Sequence, residues 1–275
     1  MTGNAEPLNA QRILTTSRPR VIGCAGEVWD TVQSTMDTAR RQALAGVPDG
    51  YVVIAEKQRS GRGRTGSWEC TARQGILMSV VLRMGIARGE RRLTGLMGAV
   101  AAAETAQTFA VQARIKWPND IVVAEKKDNA LCIRKLGGVL VEQAGDGDAA
   151  PTHILGIGLN VNQDHRALPP VEPQPTSLKI ERGGRALDRE LLCVRLIEKL
   201  DEWYAKLRAG YVEALLARWR TLCCLLGEKV RADVEGTIVT GTVTGLRATG
   251  ELILQSDEGQ EIVLSSERTT LLFGA

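Results

Sequence analysis

The chain has 275 residues, a net charge of +3, and 44% apolar and 24% charged residues, the balance of an ordinary globular protein. Such a length allows a large domain with a small partner and needs no disulfide or metal staple. Intrinsic disorder, a membrane-spanning helix and a secretory leader are not expected: apolar content is too high, no apolar run approaches about 18 residues, and MTGNAEPLNAQR lacks the basic-then-apolar pattern of a leader.

Residues 1–26 read as an N-terminal arm with one helical pattern, Leu8 to Leu14. EVWDTVQST (Glu27 to Thr35) reads as a strand. Ser34 or Thr35 then caps a helix through Ala45, with Gly46 beyond its end. A strand from Tyr51 leads into a Gly/Arg loop, Arg59 to Gly66, and ILMSVVLRM from Ile76 is a strand buried on both faces. Leu93 to Val111 is an Ala-rich buried helix. Strands are expected over Arg114 to Ala124, Leu136 to Gln143 and Thr152 to Asn162, separated by the polar connector EKKDNALCIRK and the turn-rich QAGDGDAAP. LPPVEPQPT (168–176) is irregular. Asp188 caps a helix with the stripe Leu192, Leu196, Leu200, Trp203 and Leu207, and a second stripe runs from Tyr211 to Leu222.

After Gly227 five short runs (VRADV, TIVTGTVTGL, ELILQ, EIVLS and TTLLF) alternate with turn signals, the pattern of a small β-barrel. Residues 227–275 hold 8 acidic and 4 basic residues, net −4, against +3 for the whole chain, which leaves +7 on the remainder. The expected organisation is the arm 1–26, a main domain 27–226 and a C-terminal β-domain 227–275.

Six cysteines, at 24, 70, 132, 193, 223 and 224, form no C-x-x-C pair, and His153 and His165 are the only histidines. No zinc, haem or flavin is expected, and the cysteines read as reduced residues of a cytoplasmic protein. A charge of +3 gives no argument for nucleic acid, and neither nucleic acid nor membrane is expected as a partner.

The chemistry concentrates in four segments. SGRGRTGSW has G-x-G-x-x-G spacing at Gly61, Gly63 and Gly66, but a strand follows rather than the helix a dinucleotide site requires. Its arginines are more informative: window 57–73 carries Lys57, Arg59, Arg62, Arg64 and Arg73 against Glu69, net +4. Glycines let backbone approach an anion and guanidiniums grip phosphate, although a solvated basic loop has the same composition. KWPND (Lys116 to Asp120) places a proline, a lysine, an amide and a carboxylate where a bulge can aim them into a site. KLGGVLVE starts with Lys135 beside two glycines, and GIGLNVN sets Gly156 and Gly158 on an apolar strand before Asn160. Arg62, Arg64, Lys116 and Lys135 with one carboxylate, Asp120, and no histidine suit phosphoryl or adenylyl transfer rather than a Ser-His-Asp mechanism.

QSTMD, QRSGRGRTGSW, KWPND, KLGGVLVE and GIGLNVN, in this order, resemble the signature segments of the biotin protein ligase family. The resemblance spans about residues 27–226, and the C-terminal β-domain also matches. It implies an α+β fold: a mixed sheet flanked by helices, related to class II aminoacyl-tRNA synthetases and lipoate ligases, followed by an SH3-like barrel. It implies a ligase that joins biotin to a lysine of a biotin carboxyl carrier protein domain through biotinyl-5′-AMP, with ATP as co-substrate and Mg²⁺ as cofactor. By resemblance Ser34, Thr35 and Gln58 hold the ureido end of biotin. Gly61, Arg62, Gly63 and Arg64 fold over biotin and adenylate, and Lys135 lies between carboxylate and α-phosphate. Gly138, Gly156 and Gly158 floor the pocket. Arg64, Trp68, Lys116, Asn119 and Asn160 face the nucleotide, and Asp120 faces magnesium. Arg64, Lys135 and Asp120 are the expected catalytic set. The chain departs from the family pattern in Met36, where asparagine is usual, and in the short Gly66-Ser67-Trp68. Residues 1–26 are too short for the helix-turn-helix of some members, so a monofunctional enzyme is expected, with homodimerisation left open. The alternatives are a catalytically silent biotin or biotinyl-adenylate sensor, and a lipoate or octanoate transferase of the same fold. The C-terminal domain is expected to stay out of the biotin pocket.

Overall fold

A computed structural model describes residues 6–64, 66–83, 90–128, 130–145 and 151–272; most of the turn expected at 143–151 lies outside these. Seven strands form one sheet: β1 (Gly26–Trp29), β2 (Val52–Ala55), β3 (Gly75–Leu82), β4 (Ala113–Lys116), β5 (Asp120–Lys127), β6 (Ala130–Ala144) and β7 (Thr152–Asn160). Their order is β1-β2-β3-β7-β6-β5-β4, with β1 and β2 parallel and every other pair antiparallel. Every residue of β3, an interior strand between β2 and β7, is buried.

Helix α2 (Thr35–Leu44) covers one face of this sheet and α3 (Glu90–Thr108) the other. Strand alternation makes the two faces explicit. Leu155 and Val139 meet α3 at Gly98, whereas Gly156 meets α2 at Met36. On the α3 side, Ala99, Ala101, Ala102, Ala103 and Ala106 are fully buried; small side chains let this helix lie against the sheet beneath α5 (Arg189–Arg208) and α6 (Val212–Leu222). Asp188 caps α5, its Oδ1 accepting from the backbone of Glu190 and Leu191, and Ser34 caps α2 by accepting from Met36 N.

Residues 6–25 are anchored to the rest of the chain. Helix α1 (Ala10–Ser17) packs on α5 with Ile13 fully buried. Asp201 of α5 accepts from the backbone N–H groups of Arg20, Val21 and Ile22 at 2.8–2.9 Å. Glu56 accepts from Leu8 N at 2.7 Å and pairs with Arg189 at 2.5 Å, both side chains being almost completely buried. The polar composition of this segment hid these anchors, which come from positions more than 40 residues away. A short helix, α4 (Leu178–Glu181), also has no counterpart in the sequence reading.

The segment expected as one strand from Arg114 to Ala124 is a hairpin. Lys116 pairs with Asp120, and Trp117-Pro118-Asn119 makes the turn, because proline cannot donate within a continuous ladder. The connector after it belongs to β5 and β6, which pair as far out as Lys127 and Ala130.

The five C-terminal runs are β8 (Lys229–Val234), β9 (Thr237–Leu246), β10 (Leu252–Gln255), β11 (Glu261–Leu264) and β12 (Thr269–Leu272), an antiparallel SH3-like sheet in the order β11-β10-β9-β8-β12. It docks on α3 and the 117–119 turn. Trp117 Nε1 donates to Gly250 O at 3.4 Å, and Arg92 binds Glu251 at 2.7 Å and Glu267 at 3.3 Å. No helix among the described residues is long and apolar enough to cross a membrane.

Candidate functional site

A cavity of about 1050 Å³ lies on the α2 side of the sheet. Gly138, Gly156 and Gly158 are in its floor. A Cβ at 158 would come within 2.5 Å of the Trp68 indole, and one at 156 within 2.8 Å of Met36 Sδ, so a side chain at either position must displace the one above it.

One end of the cavity is neutral and polar. Gln58 Oε1 accepts from Thr35 N at 2.7 Å and Thr35 Oγ1 at 2.9 Å, and Ser79 Oγ donates to Thr35 Oγ1 at 2.8 Å. Ser34 lies alongside, buried by its capping role. Sequence reasoning named three of these residues and missed Ser79, which sits inside a continuous apolar strand and is aimed at Thr35 only by the pairing of β3 with its neighbours.

The other end is charged. Asp120 Oδ1 binds Lys135 Nζ at 2.6 Å, and Oδ2 binds Lys116 Nζ at 3.3 Å. A bulge explains how Lys135 arrives there. Asp120 pairs with Gly138 and Ile121 with Gly137, but Val122 pairs with Lys135, the register slipping by one residue. That slip turns Lys135 to the face of Asp120, while Leu136 enters the core on the α3 side. Lys135 Nζ also lies 5.9 Å from the centre of the Trp68 ring, within cation–π reach. Backbone bonds from Lys135 N to Gln174 O and from Thr176 N to Lys135 O, each 2.8 Å, clamp the lysine to the proline-rich segment.

The Gly/Arg loop folds on itself as a small hairpin, with Gly63 N donating to Gly66 O and Trp68 N to Gly61 O. Gly63, Arg64 and Trp68 line the cavity; Gly61 lies outside its wall, filling the turn against Trp68 O. Arg62 lines the cavity too, but its guanidinium is gripped by Asp37 at 2.7 and 3.0 Å and by Glu142 at 3.1 Å. The Arg62 hydrogen bonds hold the Asp37 carboxyl below its ordinary range despite partial burial. Arg64 Nη1 instead donates to Thr269 O of β12 at 3.1 Å.

Lys116, Asn119 and Lys135 line the cavity, whereas Asn160 does not. Its amide is buried, donating to Thr176 O and accepting from Gln163 Nε2, both at 3.0 Å. The nucleotide-facing role expected for Asn160 is therefore not the one its side chain has here. The C-terminal sheet does reach the cavity through Arg231, Thr270, Leu271 and Leu272. A second cavity of about 620 Å³, between α3 and the C-terminal sheet, shares Arg64, Trp117, Pro118, Asn119 and Thr270 with the first.

Magnesium has a poor match in this donor set. Both oxygens of Asp120 face ammonium groups, and no group of three or more His, Cys, Asp or Glu side chains converges among the described residues. A resident ion held by Asp120 does not fit.

The biotin/lipoate A/B protein ligase family matches residues 28–162, and the biotin protein ligase C-terminal domain matches residues 225–267. The biotin–[acetyl-CoA-carboxylase] ligase of Mycobacterium tuberculosis is 32% identical over 271 residues, covering 90% of this chain and 91% of that one. The chain belongs to the biotin protein ligase family. The Bacillus spizizenii family member named bifunctional ligase/repressor BirA is 30% identical over 241 residues, covering 86% of this chain and 71% of that one. The solved biotin protein ligase from Aquifex aeolicus in complex with biotin and ATP has a TM-score of 0.76 at 24% identity, covering 91% of this chain and 99% of that one, and shows the same fold.

Proposed function

We propose that this chain is an ATP-dependent biotin ligase that forms biotinyl-5′-AMP and transfers the biotinyl group to a lysine of a biotin carboxyl carrier protein domain. One observation carries the reading: a single glycine-floored cavity joins a hydrogen-bonded neutral end at Ser34, Thr35 and Gln58, backed by buried Ser79, to a cationic end at Lys135 and Lys116. That polarity fits an acid with a neutral, polar ring system and a terminal carboxylate. Residues 27–226 are the catalytic unit in this reading, and 227–275 complete the cavity mouth. The setting is the cytoplasm, where ATP is available.

Biotin's carboxylate is ionised at neutral pH, so its attack on the α-phosphorus needs no general base. A carboxylate oxygen bonds to phosphorus as the bond to the pyrophosphate leaving group breaks. The requirement is alignment of two negative groups, which Lys135 and Arg64 supply by neutralising charge where it develops. Asp120 orients Lys135 until a phosphate oxygen competes for its ammonium. In the second step the free amine of the carrier lysine attacks the acyl carbon and AMP departs. Magnesium enters this reading only with the nucleotide, as Mg·ATP.

The test supplies Mg·ATP, a carrier domain and either biotin or lipoate, and follows pyrophosphate release and carrier mass. Biotin-dependent release with a stable mass gain on the carrier is expected, and lipoate should be rejected because it leaves the polar end unpaired. Release without transfer would instead identify an adenylate sensor, and equal use of lipoate would overturn the assignment.

A further inference from the structure

Met36 stands in the first turn of α2, only 4% exposed, and lines the cavity. Its Sδ and Cγ lie 2.8 and 2.9 Å from where a Cβ on Gly156 would be. Gly156 pairs with Ser79 across β3 and β7, and Ser79 is bonded to Thr35, the residue preceding Met36. The thioether therefore fills the space over the floor immediately beside the neutral polar end. Behind it Ala39, Val53, Val81 and Ile154 pack as a small core separate from the main one. A thioether is at most a weak hydrogen-bond acceptor, so its effect on a ligand there comes chiefly from volume and flexibility.

We infer that Met36 sets the size limit of the polar end of the cavity and is a specificity-determining residue for the ring system of the acid substrate. The inference rests on the biotin ligase reading and goes beyond it, because it concerns which acids are refused. An acid carrying extra bulk at its ring end meets Met36 above Gly156. A shorter side chain at 36 removes that obstacle while Thr35, Gln58 and Ser79 keep their bonds. A pocket that discriminates by one methylene does so by roughly ten-fold to 200-fold, and Met36→Ala vacates the space of three heavy atoms, Cγ, Sδ and Cε.

The experiment measures kcat/KM in pyrophosphate release for biotin, biotin sulfone and the two ring N-methyl biotins, with wild type, Met36→Leu and Met36→Ala. Met36→Ala should raise the ratio of at least one bulkier acid to biotin about ten-fold or more, and Met36→Leu should keep the wild-type ratio. Ratios unchanged within about two-fold for all three analogues overturn the inference. Gly156→Ala tests the same contact without truncating the small core. Its Cβ would push the thioether into the cavity and raise KM for biotin about ten-fold. An unchanged KM overturns the inference. Where both single variants fold, adding Met36→Ala to Gly156→Ala should restore KM, and failure to do so counts against Met36 as the limiting neighbour. Absence of biotin turnover in the wild type breaks the functional reading and this inference with it. Biotin turnover with unmoved ratios breaks the inference alone.

Discussion

The two ends of the cavity are built differently. At the neutral end Gln58, Thr35 and Ser79 are bonded to one another through short contacts inside the protein, and the capped start of α2 fixes their backbone. At the charged end Lys135, Lys116 and Arg64 are held by Asp120 and by a carbonyl of β12, partners that an incoming phosphate must displace. In the proposed reading the first end is pre-organised to recognise, and the second holds its cations on Asp120 and a backbone carbonyl until an anion arrives. Changes at the neutral end should therefore appear mainly in binding, and changes at the charged end mainly in the rate of activation.

The largest expected effect breaks the charged end. In the proposed reading Lys135→Ala removes the cation nearest the reacting groups and leaves Asp120 with one counter-charge fewer. Adenylation should slow on the order of 10²-fold or more, by analogy with loss of one pre-organised donor, while biotin KM changes far less. Single-turnover formation of biotinyl-AMP checks this. A large KM effect with an unchanged rate would show that the two ends do not divide the work as described.

The charged end also shows how far a sequence can be read. Lys135, Asp120 and Lys116 could be singled out as residue types, because several glycine-bearing segments with lysines and one carboxylate occur together, although each segment alone has an ordinary structural use. Their convergence was not legible. It needs a hairpin at 117–119 and a one-residue slip at Val122, and strand periodicity cannot show a slip. The capped helices α2 and α5 and the five C-terminal strands rest on local caps, stripes and turns, and were legible for that reason. The anchoring of residues 6–25, the inward turn of Asn160 and the reach of β12 to Arg64 depend on partners far away in the chain. Met36 was visible as a departure from a pattern, but only Gly156 beneath it gives that departure a physical meaning.

A smaller effect sharpens the neutral end. Gln58→Leu leaves Thr35 N–H and its hydroxyl without their acceptor in a buried place, which costs about 1–3 kcal/mol. Biotin KM should rise roughly ten-fold to 100-fold, with kcat nearly retained. Initial-rate kinetics decide: a fall in kcat with constant KM would place Gln58 in activation instead of recognition.

The smallest expected effect concerns the ion pairs that seat the C-terminal sheet beside the charged end. Partial burial raises the Glu267 pKa, but hydrogen bonds from Ser265, its own backbone N–H and Arg91, with the charge of Arg92, outweigh this and bring it down to about 2. A carboxyl that falls from its usual 4.5 to about 2 on folding stabilises the folded form when ionised. That contribution is complete above about pH 4.5 and disappears as pH falls toward 2. Glu267 is exposed, so solvent screens the pairing and the contribution is about 1 kcal/mol or less. Wild type should therefore be slightly more stable than Glu267→Gln at neutral pH, and the gap should close between about pH 4.5 and 2. Thermal unfolding of both proteins across this range measures it. A gap of equal size at pH 3 and pH 7 would mean that Glu267 contributes by packing or neutral hydrogen bonding, and that the seat of the C-terminal sheet, unlike the cationic end of the cavity, does not depend on charge.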